Sequence, residues 1–372
     1  MKKIGIITFH AAFNSGSMLQ AYALQTFLQK LGYEAEIINF RSKEQKYMYL
    51  SPTNFKSVKA CLRNCKRILF YPDATNFLNY SWKQFDEFLN VKFDITKEYN
   101  TIGELRNAQF NYDTIIYGSD QIWNIKATDF NTAYLSEFDN RAKKISYAVS
   151  MGPYPCKVDA QIVGSLLDNL SAISVRDDSC AKVINDIMPK KSVKVSCDPT
   201  LLLNEEDYYG VFERRPIVNY PYIYCYAPYY EYRLFSIVEK IAKEVNLPVI
   251  ISNYCPKNIL KKYPHIHLCN DKKCGGPSGF LNLIKYSEFS CGRSFHLLCF
   301  SLIFKKEFYS IQQEDDSRLN FILSKLFLND RIVSEKDFLV GKFVRKNIDY
   351  NKVDEELSNF KNVSIKYLID NI

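Results

Sequence analysis

The strongest chemical signal in the sequence is a short apolar segment, Thr114 to Tyr117, that runs directly into a polar turn. Ligands of open α/β sheets bind beyond the carboxyl ends of the strands, and a glycine there lets the backbone approach a ligand closely. Carboxylate and amide groups bind hydroxyls, and an indole offers an apolar face to a sugar ring. The alternative is a polar loop whose tryptophan side chain packs in the hydrophobic core. We interpret the turn as a saccharide site formed by Gly118, Ser119, Asp120, Gln121, Trp123 and Asn124.

A second strand-to-helix turn carries a histidine. The segment Phe289 to Cys291 predicts a strand, and an apolar helix follows Gly292. Ser294 is a natural N-cap, which places His296 in the first helical turn, and Arg293 adds a positive charge. Such a turn can hold a phosphate and present a proton donor to it, as general acid catalysis requires. The alternative is a structural histidine at a helix start.

A third turn follows the first predicted strand. Here Asn14, Ser15 and Gly16 lead into a helix that runs from about Met18 to Leu31. Ser15 or Ser17 can cap this helix, while Gly16 exposes backbone N–H groups at the positive end of the helix dipole, where an anion can bind. The alternative is a plain cap without a ligand.

Alternating strands and helices must position these turns, a pattern that predicts parallel sheets covered by helices. A chain of 372 residues is too long for one ordinary core. We expect a first domain over 1–205 with a helical insertion at about 41–110, a second domain over 206–340, and C-terminal helices over 341–372 that pack back on the first domain. The predicted strands are 4–8, 34–40, 114–117, 144–149, 172–175 and 193–197, then 222–226, 249–252, 265–269, 288–291 and 307–310.

Composition limits the class of protein. The chain is 47% hydrophobic and 24% charged, which is typical of a soluble globular protein. The longest apolar run, Leu297 to Phe304, is far shorter than the roughly 20 residues that a membrane span needs. The N-terminus is interrupted by polar residues and has no small-residue cleavage site, which disfavours a signal peptide. We therefore expect a cytoplasmic protein whose eleven cysteines are reduced and mostly packed in the core.

The net charge of +8 is partly concentrated in one predicted amphipathic helix, Phe55 to Phe70. Its apolar stripe is Phe55, Val58, Leu62, Cys65 and Leu69, and the flanking cations are Lys56, Lys59, Arg63, Lys66 and Arg67. Such a helix can lie on an anionic membrane, or it can be a core-packed helix with a solvated face. Nucleic acid is not an expected partner, because no recognisable binding motif accompanies the charge.

Five motifs appear together in a family order. They are Asn14 to Leu24, Gly118 to Asn124, Ile173 to Arg176, Asp198 to Leu203 and Ser294 to His296. Over roughly residues 3 to 335 the chain resembles the polysaccharide pyruvyl transferase family. The resemblance implies two Rossmann-like domains facing a cleft, similar to GT-B glycosyltransferases. It also implies phosphoenolpyruvate as donor substrate with no further cofactor, a saccharide or lipid-linked oligosaccharide as acceptor, and a pyruvate ketal as product.

The resemblance also implies residue roles. Arg176 matches the family arginine that grips the donor, since a guanidinium suits a carboxylate or phosphate. His296 matches the family histidine and is the expected general acid. We expect Asp120 to act as the acceptor-side base or hydroxyl anchor, Arg293 as a second anion clamp, and His10 as a further binding residue at the mouth of the facing domain. A lipid-linked acceptor would give the basic helix a reason to face the inner side of the membrane.

Three positions depart from the family pattern. Leu297 replaces a glycine after the histidine, Ser294 stands where some members have arginine, and Gly279 stands where an acidic residue is common. These departures bear on substrate range and on activity. Two other functions therefore stay open: a nucleotide-sugar glycosyltransferase on the same architecture, and a catalytically inactive glycan-binding member of the family.

A different segment carries candidate metal ligands. His265, His267 and Cys269 alternate along one predicted strand and are followed by Cys274, and zinc accepts such ligands. The spacing is not that of a common zinc motif, and Lys272 lies nearby. We expect an ordinary edge strand without metal.

Overall fold

The first half of the chain forms a parallel sheet. The computed structural model describes residues 1–49, 51, 62, 65, 69, 72–138, 141–155, 160–228, 231–312, 316–334, 343 and 345–372. Four strands pair in the order β2-β1-β3-β4, and β5 and β6 continue the sheet because the N–H groups of Ser146 and Val149 donate to Ala172 and Ser174. The strands are β1 (Lys3–Ile7), β2 (Glu34–Ile37), β3 (Thr114–Tyr117), β4 (Lys143–Ser146), β5 (Ile173–Val175) and β6 (Val193–Val195).

Helices cover both faces of this sheet, which is why its central strands are almost continuously apolar. All four residues of β3 are buried. Between β2 and β3, the described part of the predicted insertion is largely helical. The helices of this half are α1 (Ser15–Lys30), α2 (Lys43–Met48), α3 (Pro72–Lys92), α4 (Ile102–Asn107), α5 (Ala160–Leu167) and α6 (Asp178–Ile187).

The second half repeats the architecture. Six parallel strands pair in the order β12-β11-β10-β7-β8-β9. They are β7 (Ile223–Tyr226), β8 (Val249–Ile251), β9 (Ile266–Leu268), β10 (Phe289–Gly292), β11 (Glu307–Ile311) and β12 (Ile332–Val333). The helices are α7 (Tyr232–Val245), α8 (Lys257–Leu260), α9 (Gly276–Tyr286), α10 (Phe295–Ile303), α11 (Ser317–Lys325) and α12 (Tyr350–Asn371). The predicted fold, two Rossmann-like domains with parallel sheets, is confirmed.

The last helix returns to the first half of the chain. The Ser364 hydroxyl on α12 accepts a hydrogen bond from the backbone N–H of Cys197 at 2.9 Å. The Tyr367 hydroxyl, also on α12, donates to the carbonyl of Ser146 at 2.9 Å. Both contacts are buried, so α12 ties the end of the chain to the first sheet.

The predicted basic helix lies mostly outside the described residues, including all of its five cations, Lys56, Lys59, Arg63, Lys66 and Arg67. Of its apolar stripe, the described residues Leu62, Cys65 and Leu69 are helical and exposed. They therefore do not pack in the core. Within the described ranges, no helix has the length and apolar character needed to cross a bilayer.

The cysteines follow the expectation with one exception. Most described cysteines are buried in the core, as predicted, whereas Cys269 and Cys274 are joined by a disulfide. The expectation that every cysteine is reduced is wrong for this pair. The buried, unbridged cysteines are Cys180, Cys197, Cys225, Cys255, Cys291 and Cys299.

Candidate functional site

A cleft of about 400 Å³ opens where the carboxyl ends of the two sheets face each other. Strand ends supply its walls, because in parallel sheets all carboxyl ends meet at one edge. One wall contains Asp120 and Gln121 from the turn after β3, together with Asn14 at the start of α1. The other wall contains Arg293 after β10 and Gln312 after β11.

A buried ionic cluster lies where the two halves touch. Asp198, which follows β6, accepts a hydrogen bond from Nη1 of Arg176, which follows β5, at 2.8 Å. His296, in the first turn of α10, places Nε2 at 3.6 Å from Oδ2 of Asp198. That separation is too long for a hydrogen bond, so this pair is electrostatic. Three residues far apart in sequence thus meet at one point.

The His296 ring also contacts the start of α1. A Cβ atom added to Gly16 would lie 2.2 Å from Nδ1 of His296. Real side chains do not approach this closely, so only glycine fits this position beside the histidine. Gly16 therefore belongs to the contact between the two halves that positions the imidazole.

Burial and charge oppose each other in this cluster. Burial alone would raise the pKa of Asp198, but His296 and Arg176 lower it well below the ordinary carboxyl value. Burial alone would lower the pKa of Arg176, but Asp198 and then Asp120 raise it. Asp198 is therefore a carboxylate and Arg176 a guanidinium cation at neutral pH.

The cluster has unused hydrogen-bonding capacity. Among the described residues, Nε and Nη2 of Arg176, Nε2 of His296 and Oδ2 of Asp120 are buried without a hydrogen-bond partner. Buried polar atoms are normally paired, since an unpaired one costs about 1–3 kcal/mol. Arg176, His296 and Asp120 therefore keep hydrogen-bonding atoms that can pair with polar groups of a ligand.

The turn after β3 is only partly the predicted saccharide site. Asp120 is buried with a left-handed φ of 63°, and its Oδ1 accepts a hydrogen bond from the N–H of Gln121. Asp120 and Gln121 line the cleft. Asn124 supports them, because its Nδ2 donates to Oε1 of Gln121 at 3.3 Å.

Three other residues of this turn serve the core. Trp123 is 2% exposed and its indole N–H donates to the carbonyl of Tyr134, so its predicted role as a sugar platform is wrong. The Ser119 hydroxyl donates to the carbonyl of Ala148. Gly118 has φ 123°, and a Cβ there would meet the Tyr147 carbonyl. A glycine is therefore required at position 118 by the backbone of Tyr147, directly after β4, and not by a ligand.

The turn after β1 also differs from expectation. Asn14, and neither Ser15 nor Ser17, caps α1, because its Oδ1 accepts hydrogen bonds from the N–H groups of Gly16 and Ser17. Those two N–H groups are thus occupied, which removes them from the predicted anion site. Ser15 is buried at the first position of α1.

His10 does not stand at the mouth of the cleft. It is fully buried, with Nδ1 at 3.1 Å from the carbonyl of Thr8 and Nε2 at 3.0 Å from Oδ1 of Asn39. Burial lowers the pKa of His10. The expected position is wrong because the side chain points back into the first domain, where both of its ring nitrogens have hydrogen-bond partners.

The turn after β10 agrees with expectation at its cap. Ser294 caps α10 through a hydrogen bond from the N–H of Leu297 at 3.4 Å. Arg293 lines the cleft and pairs with Glu231 at 3.2 Å. The Leu297 side chain is 3% exposed and packs in the main core.

Packing also accounts for the missing acid at position 279. A Cβ on Gly279 would lie 2.3 Å from the backbone of Cys274. The start of α9 packs directly on the turn before it, so no side chain fits at this position. The departure from the family pattern is therefore a packing requirement of this chain.

Several residues of the cleft and of the ionic cluster were missed by sequence reasoning. Asp198 of the cluster was noted only as part of a motif, and the cleft residues Asp129, Gln312 and Arg318 carried no local pattern. Burial and then Asp120 raise the pKa of Asp129, and Arg318 makes two hydrogen bonds to the Asp316 carboxylate, at 2.9 and 2.6 Å. For Asp198, the available sequence signal was a charged residue directly before a proline in an otherwise uncharged segment, Val195 to Leu203.

Three of the four candidate zinc ligands have other partners. Nδ1 of His265 lies 2.7 Å from Oε1 of Glu239, and Cys269 and Cys274 are bonded to each other. Among the described residues, no group of three or more metal-binding side chains comes together.

Comparisons with known proteins agree with this architecture. Residues 14–315 match a family model described as polysaccharide pyruvyl transferase. The UDP-N-acetylglucosamine 2-epimerase of Rickettsia bellii superposes with a TM-score of 0.56 at 11% identity, over 99% of this chain and 95% of that one. The S. aureus MnaA–UDP co-structure superposes with a TM-score of 0.52 at 15% identity, over 100% of this chain and 98% of that one. No curated protein matches the sequence. The structural likenesses show the fold, which is of the GT-B type.

Proposed function

The chain belongs to the polysaccharide pyruvyl transferase family, and from that premise we propose that it transfers pyruvate from phosphoenolpyruvate to two hydroxyls of a saccharide as a ketal. The observation that carries the proposal is the convergence of Arg176, Asp198 and His296 at the carboxyl edges of both sheets. Such a site needs no redox cofactor, because the reaction exchanges an enol phosphate for a ketal.

The donor fits the ionic cluster. Phosphoenolpyruvate carries a phosphate and a carboxylate, and Arg176 offers Nε and Nη2, which have no partner among the described residues. A guanidinium binds either group through paired hydrogen bonds. Arg176 lies with Cζ 4.2 Å from the centre of the Phe295 ring, which fixes its orientation. Arg293, on the opposite wall, supplies a second positive charge.

His296 is then the general acid. Its proton is transferred to the methylene carbon of the donor, which becomes a methyl group and leaves an oxocarbenium-like centre. One acceptor hydroxyl adds there, phosphate departs with the electron pair of its C–O bond, and the second hydroxyl closes the ketal. Of the two hydroxyl protons lost, one replaces the proton of His296 and one leaves with phosphate. Asp198 stabilises the protonated imidazole as a counter-ion.

In this proposal the acceptor binds the wall formed by the turn after β3. Oδ2 of Asp120 has no partner among the described residues, so it is suited to accept a hydrogen bond from an acceptor hydroxyl and then its proton. Asp129 lies in the same wall with a raised pKa. A carboxyl that keeps its proton more readily, beside a second carboxyl with an unpaired oxygen, suits a site that holds one hydroxyl and deprotonates another.

The direct test is incubation of the purified protein with phosphoenolpyruvate and a panel of glycan and lipid-linked acceptors, with phosphate release as the readout. Release that requires both substrates supports the proposal. Turnover only with nucleotide sugars would favour a glycosyltransferase instead. Saccharide binding without turnover across all donors would favour an inactive glycan-binding member.

Two exposed leucines favour a lipid-linked acceptor. Leu62 is 68% exposed and Leu69 is 75% exposed. Exposed apolar side chains in a segment whose sequence is rich in cations suit binding to an anionic bilayer. Sedimentation with anionic liposomes should therefore recover the protein at low salt and lose it at high salt. Replacement of both leucines by serine should weaken this binding, and equal binding would remove the membrane contact.

A further inference from the structure

A second cavity, which we call the side pocket, lies beside the cleft and has a volume of about 890 Å³. One wall is α3, which contributes Phe77 and Tyr80. The opposite wall follows the carboxyl ends of β8 and β9, with Tyr254 and Asn270. None of the candidate catalytic residues lines it, so its chemistry is separate from that of the ionic cluster.

The side pocket combines aromatic rings with amide and basic groups. The rings of Phe77 and Tyr254 lie 6.0 Å apart at 48°, and Nζ of Lys272 lies 4.7 Å above the centre of the Tyr80 ring. Asn270 adds a donor and an acceptor. Rings that present flat apolar faces beside amides are suited to sugars, which have apolar ring faces and hydroxyl rims.

The side pocket and the cleft lie along the same edge of the second sheet. Ala227, after β7, lines the cleft and accepts a hydrogen bond from Nδ2 of Asn253 at 2.9 Å. The next residue, Tyr254, lines the side pocket. On the other wall, Tyr49 lines the cleft and accepts a hydrogen bond at its carbonyl from the indole of Trp82 on α3. The two cavities are therefore neighbours along this edge, one wall of each being formed by the second sheet.

The wall made by α3 is held firmly in place. Gly275 and Gly276 at the start of α9 lie against α3, where Cβ atoms would fall 3.0 Å from Cα of Ser81 and 2.7 Å from Cβ of Gln84. Gly276 also has φ 66°. The first and second halves of the chain thus meet closely beneath the side pocket, so its rings are positioned before a ligand binds.

We propose that the side pocket binds saccharide units of the acceptor next to the unit that reacts in the cleft. Its three lysines, Lys257, Lys261 and Lys272, outnumber its one carboxylate, Asp271, and so favour units that carry a negative charge, such as hexuronates. The identification of the ligand as the acceptor rests on the proposed function. Saccharide binding by the pocket does not.

The test uses the full chain and trisaccharides of neutral hexose, N-acetylhexosamine or hexuronate, with dissociation constants measured by saturation-transfer NMR. Tyr80→Ala and Tyr254→Ala should each weaken binding on the order of tenfold, because each removes an aromatic contact. Tyr220→Ala is the matched control, since Tyr220 is 49% exposed, against 39% for Tyr80, and lines neither cavity. Lys272→Gln should weaken only the hexuronate. Thermal unfolding checks that each variant is folded.

The outcomes separate the two proposals. Unchanged trisaccharide binding in folded Tyr80→Ala and Tyr254→Ala, or no binding by the wild type, would overturn the side pocket, whatever the wild type does with phosphoenolpyruvate. Weakened trisaccharide binding in both variants would support the side pocket. If the wild type at the same time shows no phosphoenolpyruvate turnover with any acceptor, the proposed reaction is overturned and the side pocket is not. If the wild type both binds the trisaccharide in the side pocket and turns over phosphoenolpyruvate, the same variants should raise the KM for the acceptor and leave the KM for phosphoenolpyruvate unchanged.

Discussion

Replacement of Gly16 by alanine tests how the histidine is positioned. The added Cβ would lie 2.2 Å from Nδ1 of His296, whereas ordinary van der Waals contact begins at 3.4 Å. The difference, 3.4 − 2.2 = 1.2 Å, is the distance that the imidazole or α1 must yield. A displacement of about 1 Å can lower a catalytic rate about a hundredfold, while overpacking costs about 1–3 kcal/mol of stability. We expect kcat to fall by about two orders of magnitude in a protein that still folds.

The assay is phosphate release from phosphoenolpyruvate with a productive acceptor, together with urea unfolding. Gly103→Ala is the matched control, because Gly103 is also the second residue of a helix and a Cβ there would meet only Oγ1 of Thr101, at 3.8 Å. The control should retain the wild-type rate. A Gly16→Ala enzyme with wild-type kcat would refute the reasoning that this contact positions His296.

Three further variants probe the remaining assignments. Arg176→Ala should weaken phosphoenolpyruvate binding at least about tenfold in a titration, because it removes the paired donors; unchanged affinity would reject its role. Asp198→Asn should cost about 3 kcal/mol of stability at pH 7. The Asp198 pKa is lowered in the folded state, so this difference should be complete above the unfolded value of about 4 and shrink as the pH falls below it; a pH-independent difference in urea unfolding would contradict the ion pair. Trp123→Phe should cost about 1–3 kcal/mol by leaving the Tyr134 carbonyl unpaired, with saccharide affinity unchanged; a loss of affinity would restore Trp123 to the site.

The sheets were predictable because most of their strands are short apolar runs. Apolar runs bounded by turn residues placed β1 to β11 within a few residues, since helices on both faces make such strands almost wholly apolar. Only β12, with two residues, lacked a signal. The N-cap at Ser294 was also predictable, because it depends on local backbone geometry.

The direction of side chains at the turns was not predictable. Trp123 and Asp120 lie three residues apart, yet one fills the core and the other lines the cleft, because tertiary packing decides which way each points. His10 was misplaced for the same reason. The role of Asp198 depends on Arg176 and on His296, and that meeting is created by strand order and by the contact between the two halves.

The most direct test of the central claim is product analysis after incubation with phosphoenolpyruvate labelled with carbon-13 at its methylene carbon. In deuterated water with a productive acceptor, the labelled carbon should appear in a ketal methyl group that carries one deuterium, with one phosphate released for each ketal formed. His296→Ala should form neither product, while Gly103→Ala should form both. A labelled carbon that never enters the saccharide, while nucleotide sugars are consumed, would contradict pyruvyl transfer.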